Sequence, residues 1–348
     1  YFLFLPAVVL FYFLLPHRWR NAFLVAASYY FYMRWEWQFG MLLLFIYAVN
    51  YLAGLEIAKN ISKAYRRFWL TTSVSTSLAV LAYFKYAHFF ISETSLLLSS
   101  LGLDVRPSYL KIILPVGISF FTFQSLSYTL DVFKGKTGAE KNIIDFFLFT
   151  SFFPTLIAGP ISRSTSLLTQ LKAEQHLTSD NLIQGAKLIL WGLFKKVVIA
   201  DRLAVYVNSV YASPEAFGGG TLFLATLFFT FQLYCDFSGY SDIAIGSANM
   251  LGIRLVQNFN LPYLASSMRE FWQRWHMSMT SWFRDYVFLP ISFALAGKIS
   301  SERVLFIKTD LFIYIIASII TWLLTGLWHG ASNTFIIWGL LQGFFLIN

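Results

Sequence analysis

Charge is what this 348-residue chain has least of: 26 Lys and Arg and 17 Asp and Glu make up 12% of it, against about 25% in an ordinary soluble domain. A surface wetted on all sides is thereby excluded. Cysteine is almost missing too. The single Cys235 cannot form an internal disulfide and has no Cys or His partner at metal-ligand spacing, and no H-E-x-x-H motif is present, so no metal site is expected. Internal repeats, heptad arrays and low-complexity linkers are also absent, and the expectation is a single domain over 1–348.

Aromatic and aliphatic side chains take the place of charge. With 38 Phe, 19 Tyr and 11 Trp, aromatics reach 20% and hydrophobic residues 57%, and mean hydropathy is +0.61. The fold class this predicts is all-α: a polytopic membrane protein with roughly eight to eleven membrane helices at about 20 residues per span. The formal net charge of +9 resembles a nucleic-acid signal. Its Lys and Arg, however, lie in short clusters between apolar runs, as in cytoplasmic loops, so a nucleic-acid partner is not expected. The chain starts at Tyr1 inside one apolar run and stops at Asn348 inside another. The expectation is truncation at both ends, with a first span that is not a signal peptide.

Apolar stretches occupy 1–15, 23–33, 39–57 and 68–90. The loops after the first and third carry Arg18, Arg20, Lys59, Lys63, Arg66 and Arg67, which the positive-inside rule places in the cytoplasm, with the N-terminus outside. A polar stretch at 92–111 reads as an external excursion. The span at 110–133 contains Pro115 and Gly117 and should be kinked or broken. The segment 143–158 is too short for a full crossing, ends in Gly159 and Pro160, and reads as buried or re-entrant. One long helix is expected over 180–211, with Lys195 and Lys196 as interfacial anchors. The span at 221–253 carries Cys235, Asp236, Ser238 and Asp242 at its middle, where hydrocarbon would demand apolar side chains, so an interior role is the first suspicion.

Two histidines stand out. Over 266–286, Met268, Phe271, Trp272, Trp275, Met279, Trp282, Phe283 and Tyr286 follow at steps of 3, 1, 3, 4, 3, 1 and 3, one apolar stripe at helical spacing. Glu270, Gln273, Arg274, Ser278, Ser281 and Asp285 fall opposite, and Ser267-x-x-Glu270 reads as a capping box. This amphipathic helix should lie in the membrane interface. His276 sits at the edge of its stripe, either as an incidental interfacial residue or directed into a groove. His329 follows the apolar run 315–328 and precedes Gly330, at a break near membrane depth. An imidazole there suits proton transfer; a structural hydrogen bond at a broken helix end is the alternative.

The run Arg269-Glu270-Phe271-Trp272-Gln273-Arg274-Trp275-His276, together with Gly326-Leu327-Trp328-His329-Gly330-Ala331, resembles the signature of membrane-bound O-acyltransferases. Matches at 114–124, 158–163, 192–201, 236–242 and 258–263 extend the resemblance over nearly the whole chain, and it is nearest to the bacterial alginate O-acetyltransferase branch. It departs from the family pattern at 291–294, where a Gly-Gly-basic turn is usual, at Asn333 in place of an aromatic residue and at Gln342 in place of a His.

The resemblance implies that His329 is the catalytic histidine and His276 the second histidine of the site. Trp275, Trp328, Asp236 and Arg163 are the candidate substrate-binding residues, although intramembrane polar residues also pair simply to hold helices together. It further implies no bound cofactor. An acyl thioester, acetyl-CoA or an acyl carrier, serves as co-substrate. The acceptor is an extracytoplasmic polysaccharide or a periplasmic acetyl-transfer partner protein, and the location is the bacterial cytoplasmic (inner) membrane, multi-pass among its lipids. Cys235 as an acyl-carrying nucleophile is the less expected course; a small buried thiol is the commoner one. Two rival functions stay open: a proton-coupled transporter using Asp236, Asp242 and His329 as a relay, and a non-catalytic scaffold for envelope-polymer enzymes.

Overall fold

The computed structural model describes residues 1–103, 112–304 and 306–347. Four of its helices are long and apolar enough to cross a membrane, Gln38–Ala58, Lys63–Ser100, Gly219–Met250 and Thr309–His329, with Phe4–Leu14 and Asn333–Ile347 as shorter apolar helices. Beside the helices the described residues form one small antiparallel ladder, pairing Arg303 with Lys308 and Val304 with Ile307. The helix Thr309–His329 begins directly after Lys308.

The chain divides into two compact units, each drawn from two separate stretches: residues 1–40 with 141–260, and 41–140 with 261–348. In the first, Ser179–Leu193 packs along Gly219–Met250 through paired glycines. A methyl added at Gly192 would meet the Gly239 carbonyl oxygen at 2.5 Å, and one at Gly185 would meet that of Gly246 at 2.7 Å. Small residues permit this backbone approach. The long helix expected over 180–211 is present but passes through a wide π turn at Phe194–Ala200 before continuing as Asp201–Ala212. Lys195 is not an interfacial anchor. It is buried, 2.6 Å from Asp242 and 3.0 Å from the Ser238 hydroxyl, because the π turn re-aims it at the neighbouring helix. Arg20 is likewise more than a loop charge: it is buried, donates to the Leu15 and Gln175 carbonyls and lies over the Tyr12 ring. The short segment at 143–158, expected as one buried or re-entrant helix, forms two short helices instead, Ile143–Ser151 and Phe153–Leu156, most of whose residues are buried.

In the second unit Asn50 ties three helices together. Wholly buried, it accepts from Ser73 and Thr129 and donates to Ser77 and to the Ile46 carbonyl. Each polar group on this side chain is therefore served, which is what an apolar interior demands. The break expected near Pro115 is there: Gly117 takes a left-handed φ of 78°, and Ile118–Phe133 begins directly after it. The excursion expected at 92–111 is in part helix, since Lys63–Ser100 runs unbroken through Ser92 and Glu93; positions 104–111 lie outside the described residues. At 1.5 Å rise per residue this 38-residue helix is about 57 Å long, well beyond a ~30 Å hydrocarbon core.

Candidate active site

The site is built in the second unit from two interruptions of helix. The first is at His276. Ser267 caps the Met268–Arg274 helix by accepting from the Glu270 N–H at 3.2 Å. Glu270 reaches back one residue further than a capping box requires, taking the Ser266 N–H and hydroxyl at 2.7 Å each. These bonds hold its carboxyl below the usual carboxylate range. The continuous helix expected over 266–286 does not form. It stops at Arg274, Trp275 is extended, His276 is left-handed at φ 44° and ψ 52°, and Met277–Phe283 starts anew with His276 as its N-cap.

Left-handed geometry costs a residue with a Cβ on the order of 1–2 kcal/mol, and it re-aims the side chain. His276, placed by periodicity at the stripe's edge, is only 1% exposed. Ser278, expected on the polar face, is buried as well, while Trp272, Trp275, Met279, Trp282 and Phe283 bury the stripe. Burial holds the His276 imidazole well below its ordinary pKa, and nearby His329 adds to the effect.

The second interruption follows His329, the last residue of Thr309–His329; Gly330 is extended, and Asn333–Ile347 returns alongside. The hairpin closes on glycine. A methyl on Gly339 would strike the Trp322 carbonyl oxygen and come within 3.1 Å of the Gly326 Cα. His329 packs edge-on to Trp338 at 4.8 Å between centroids and parallel to Phe335 at 6.4 Å.

Trp328 is the centre of the arrangement. Its indole lies 4.8 Å from the His329 ring and 5.8 Å from that of His276, so both histidines flank it. Phe120 and Phe123 close on it at 5.9 and 5.8 Å, and Trp282 stacks on Phe123 at 4.0 Å. Among the described residues, His329 Nε2 and Trp328 Nε1 are sealed from solvent and have no hydrogen-bond partner. A buried polar atom without a partner is costly and needs a reason, and here the two are a base and an N–H donor on adjacent residues.

A family model for membrane-bound O-acyltransferases matches residues 93–307. A probable alginate O-acetylase AlgI of Pseudomonas syringae pv. tomato is 41% identical over 347 residues, 99% of this chain and 64% of its own length. The chain belongs to the membrane-bound O-acyltransferase family. A peptidoglycan O-acetyltransferase of Helicobacter pylori is 34% identical over 98% of this chain and 67% of its own. A teichoic acid D-alanyltransferase of Bacillus subtilis is 30% identical over 65% and 56%. The chain spans about two thirds of the length of the curated alginate O-acetylase relatives it matches.

Within this family member the predicted residues fall into two groups. His276, His329, Trp275 and Trp328 belong to the second unit, and the two histidines share Trp328. Asp236 and Arg163 belong to the first. There Asp236 is 2.5 Å from Lys196, which also pairs with Asp201 at 2.8 Å, and Arg163 directly precedes the Ser164–Lys172 helix. Cys235 is a buried thiol in that same unit. At the departures from the family pattern, Gln342 accepts from the Trp272 indole at 3.3 Å, Asn333 donates to Glu93 at 3.3 Å, and 291–294 continue the Leu289–Ala296 helix. Periodicity and motif missed Lys85 and Tyr86, which bond the backbone of Trp328 and Leu327. The signal was available: Lys85 is the one charge in the apolar run 68–90.

Proposed function

We propose that the protein is an O-acyltransferase that moves an acyl group, acetyl in the reading its relatives favour, from a cytoplasmic thioester toward hydroxyls of an extracytoplasmic polysaccharide. His329 is its general base. The observation that carries this reading is His329 Nε2, a basic nitrogen buried without a hydrogen-bond partner among the described residues. It lies in the Trp-His-Gly break beside a second imidazole.

Neutral His329 takes the proton of the acceptor hydroxyl as the oxygen attacks the thioester carbonyl carbon. The C–S bond then breaks, and the thiolate recovers the proton from His329. Ester and thiol are the products, and the imidazole ends as it began. Base catalysis of this kind contributes about 10²–10⁴ in rate. His276, kept neutral by burial, orients the acceptor or donates to the carbonyl oxygen. Trp275 and Trp328 wall the acyl path, and their apolar surroundings keep out water that would compete as acceptor. For Asp236 and Asp242, the pairs with Lys196 and Lys195 support a role in holding helices together, and they neutralise the carboxylates a proton relay would use. The donor is acetyl-CoA or an acyl carrier. The acceptor is reached directly or through a periplasmic transfer protein, and the setting is the bacterial inner membrane, crossed about eight to eleven times. Both compact units draw on two separate stretches of chain, which supports 1–348 acting as one functional domain.

The test is reconstitution of the intact protein in vesicles with labelled acetyl-CoA inside and alginate oligosaccharide outside, comparing wild type with His329→Ala. Label on the glycan with wild type only is expected. Equal transfer by both would remove His329 from the chemistry.

A further inference from the structure

The last four carbonyls of a helix have no partner within it, and in an apolar setting each one left bare costs several kcal/mol. At the end of Thr309–His329 the chain turns at once into extended Gly330, whose N–H returns to the Gly326 carbonyl at 3.3 Å. The next two carbonyls are taken by neighbours on a different helix. Tyr86 donates its hydroxyl to the Leu327 carbonyl at 2.6 Å, and the Lys85 ammonium donates to the Trp328 carbonyl. The same ammonium lies 3.4 Å from the Ser119 hydroxyl and 5.5 Å from the Trp328 ring centre. It is the sole charge of an apolar run, a placement that membrane helices rarely tolerate without a function.

Position matters as much as satisfaction. The Trp328 carbonyl belongs to the peptide plane that leads into His329, so a donor fixed on that oxygen fixes the direction of the His329 Cα–Cβ bond. A cation at a helix C-terminus is also favoured by the helix dipole. We infer that Lys85 and Tyr86 are positioning residues: side by side on Lys63–Ser100, they clamp the two carbonyls before His329 and hold its imidazole in register with the acceptor. This rests on His329 being the base. A displacement of about 1 Å at such a group costs on the order of 10²-fold, and the clamp guards against such a slip.

The experiment compares Lys85→Met, Lys85→Arg and Tyr86→Phe in the intact reconstituted protein, with acetyl-CoA as donor. Expected for Lys85→Met is a fall in kcat of about 10- to 100-fold, with KM for acetyl-CoA within about twofold of wild type. Lys85→Arg, which keeps a charged donor, should recover most of that loss, and Tyr86→Phe should lie between. The same Lys85→Met change in a His329→Gln background should lower residual transfer little further, because a misplaced side chain that is already gone has nothing left to lose. Three results would overturn the clamp: kcat within twofold of wild type in Lys85→Met, no recovery in Lys85→Arg, or a full additional loss in the His329→Gln background. High transfer by His329→Gln alone would instead count against the base itself, so the two failures are told apart. Should Lys85→Met not fold, Tyr86→Phe and Lys85→Arg decide, and wild-type kcat in Tyr86→Phe together with a KM-only effect in Lys85→Arg would refute the proposal.

Discussion

A single methyl group at Gly339 should disable the proposed acyl transfer from a distance. Gly339→Ala places a Cβ against the Trp322 carbonyl oxygen, 3.1 Å from the Gly326 Cα and 3.2 Å from the Gly326 nitrogen. All of these are backbone atoms of Thr309–His329, so no side chain can swing away, and the two helices must part by several tenths of an ångström. Overpacking of this kind costs typically about 1–3 kcal/mol. His329 is three residues beyond Gly326 on the helix being pushed, so transfer should fall by on the order of 10-fold or more through misplacement. Gly343, one turn further along the same face, supplies the control. A methyl there meets only side-chain atoms of Trp322, the nearest at 3.3 Å. Thermal melting in detergent and acetyl transfer, measured on both variants, check the reasoning. Gly339→Ala that melts and turns over like Gly343→Ala would show that the hairpin crossing does not set the position of His329.

The base itself is tested by His329→Gln, which keeps hydrogen-bonding capacity but cannot take the proton; transfer should drop by about 10²–10⁴. More than about a tenth of wild-type rate, a loss under ~1.4 kcal/mol, would refute the assignment. On the Met268–Arg274 and Met277–Phe283 helices, Trp275→Glu buries a carboxylate and should impair assembly, whereas half-exposed Ser281→Glu should not; similar yields of folded protein would contradict the burial described. For topology, cysteines placed singly at Lys63 and Ser100 in a Cys235→Ser background mark the two ends of one helix. An impermeant reagent on intact cells should reach position 100 and miss position 63, and the reverse would invert the orientation.

Much of this was legible because hydrocarbon and helix geometry leave a strong imprint on composition. The long apolar runs became helices, the helical part of 110–133 began only after Pro115 and Gly117, and Ser267-x-x-Glu270 opened another. His329 was visible for the same reason, as a polar residue at the edge of an apolar run. What stayed hidden depends on a third dimension. Nothing in the 3.6-residue rhythm of 266–286 marks His276 as left-handed, since its apolar stripe keeps phase across the break. Lys195 read as an anchor because one-dimensional patterns cannot show that a π turn aims it at Asp242. Lys85 was overlooked for a different reason: its partners are backbone carbonyls, and carbonyls have no sequence signature at all.

Both imidazoles leave the chain where helical order fails, and the physics of side-chain direction explains why. In an unbroken helix the Cα–Cβ bonds tilt toward the N-terminus and side chains lie along the helix face, so a histidine held there sweeps a band of its own cylinder and little else. A break frees that direction. At 276 the cost is a left-handed residue, on the order of 1–2 kcal/mol, and the return is an imidazole turned fully inward. At 329 the cost is a set of unpaired terminal carbonyls, which Lys85 and Tyr86 offset from another helix. Each imidazole then sits edge or tilted to one shared indole, at 5.8 and 4.8 Å, so Trp328 fixes their separation without a bond between them. Two histidines joined directly would satisfy each other's nitrogens. Set apart by Trp328, they leave His329 Nε2 without a hydrogen-bond partner among the described residues, which is the state the proposed proton transfer needs.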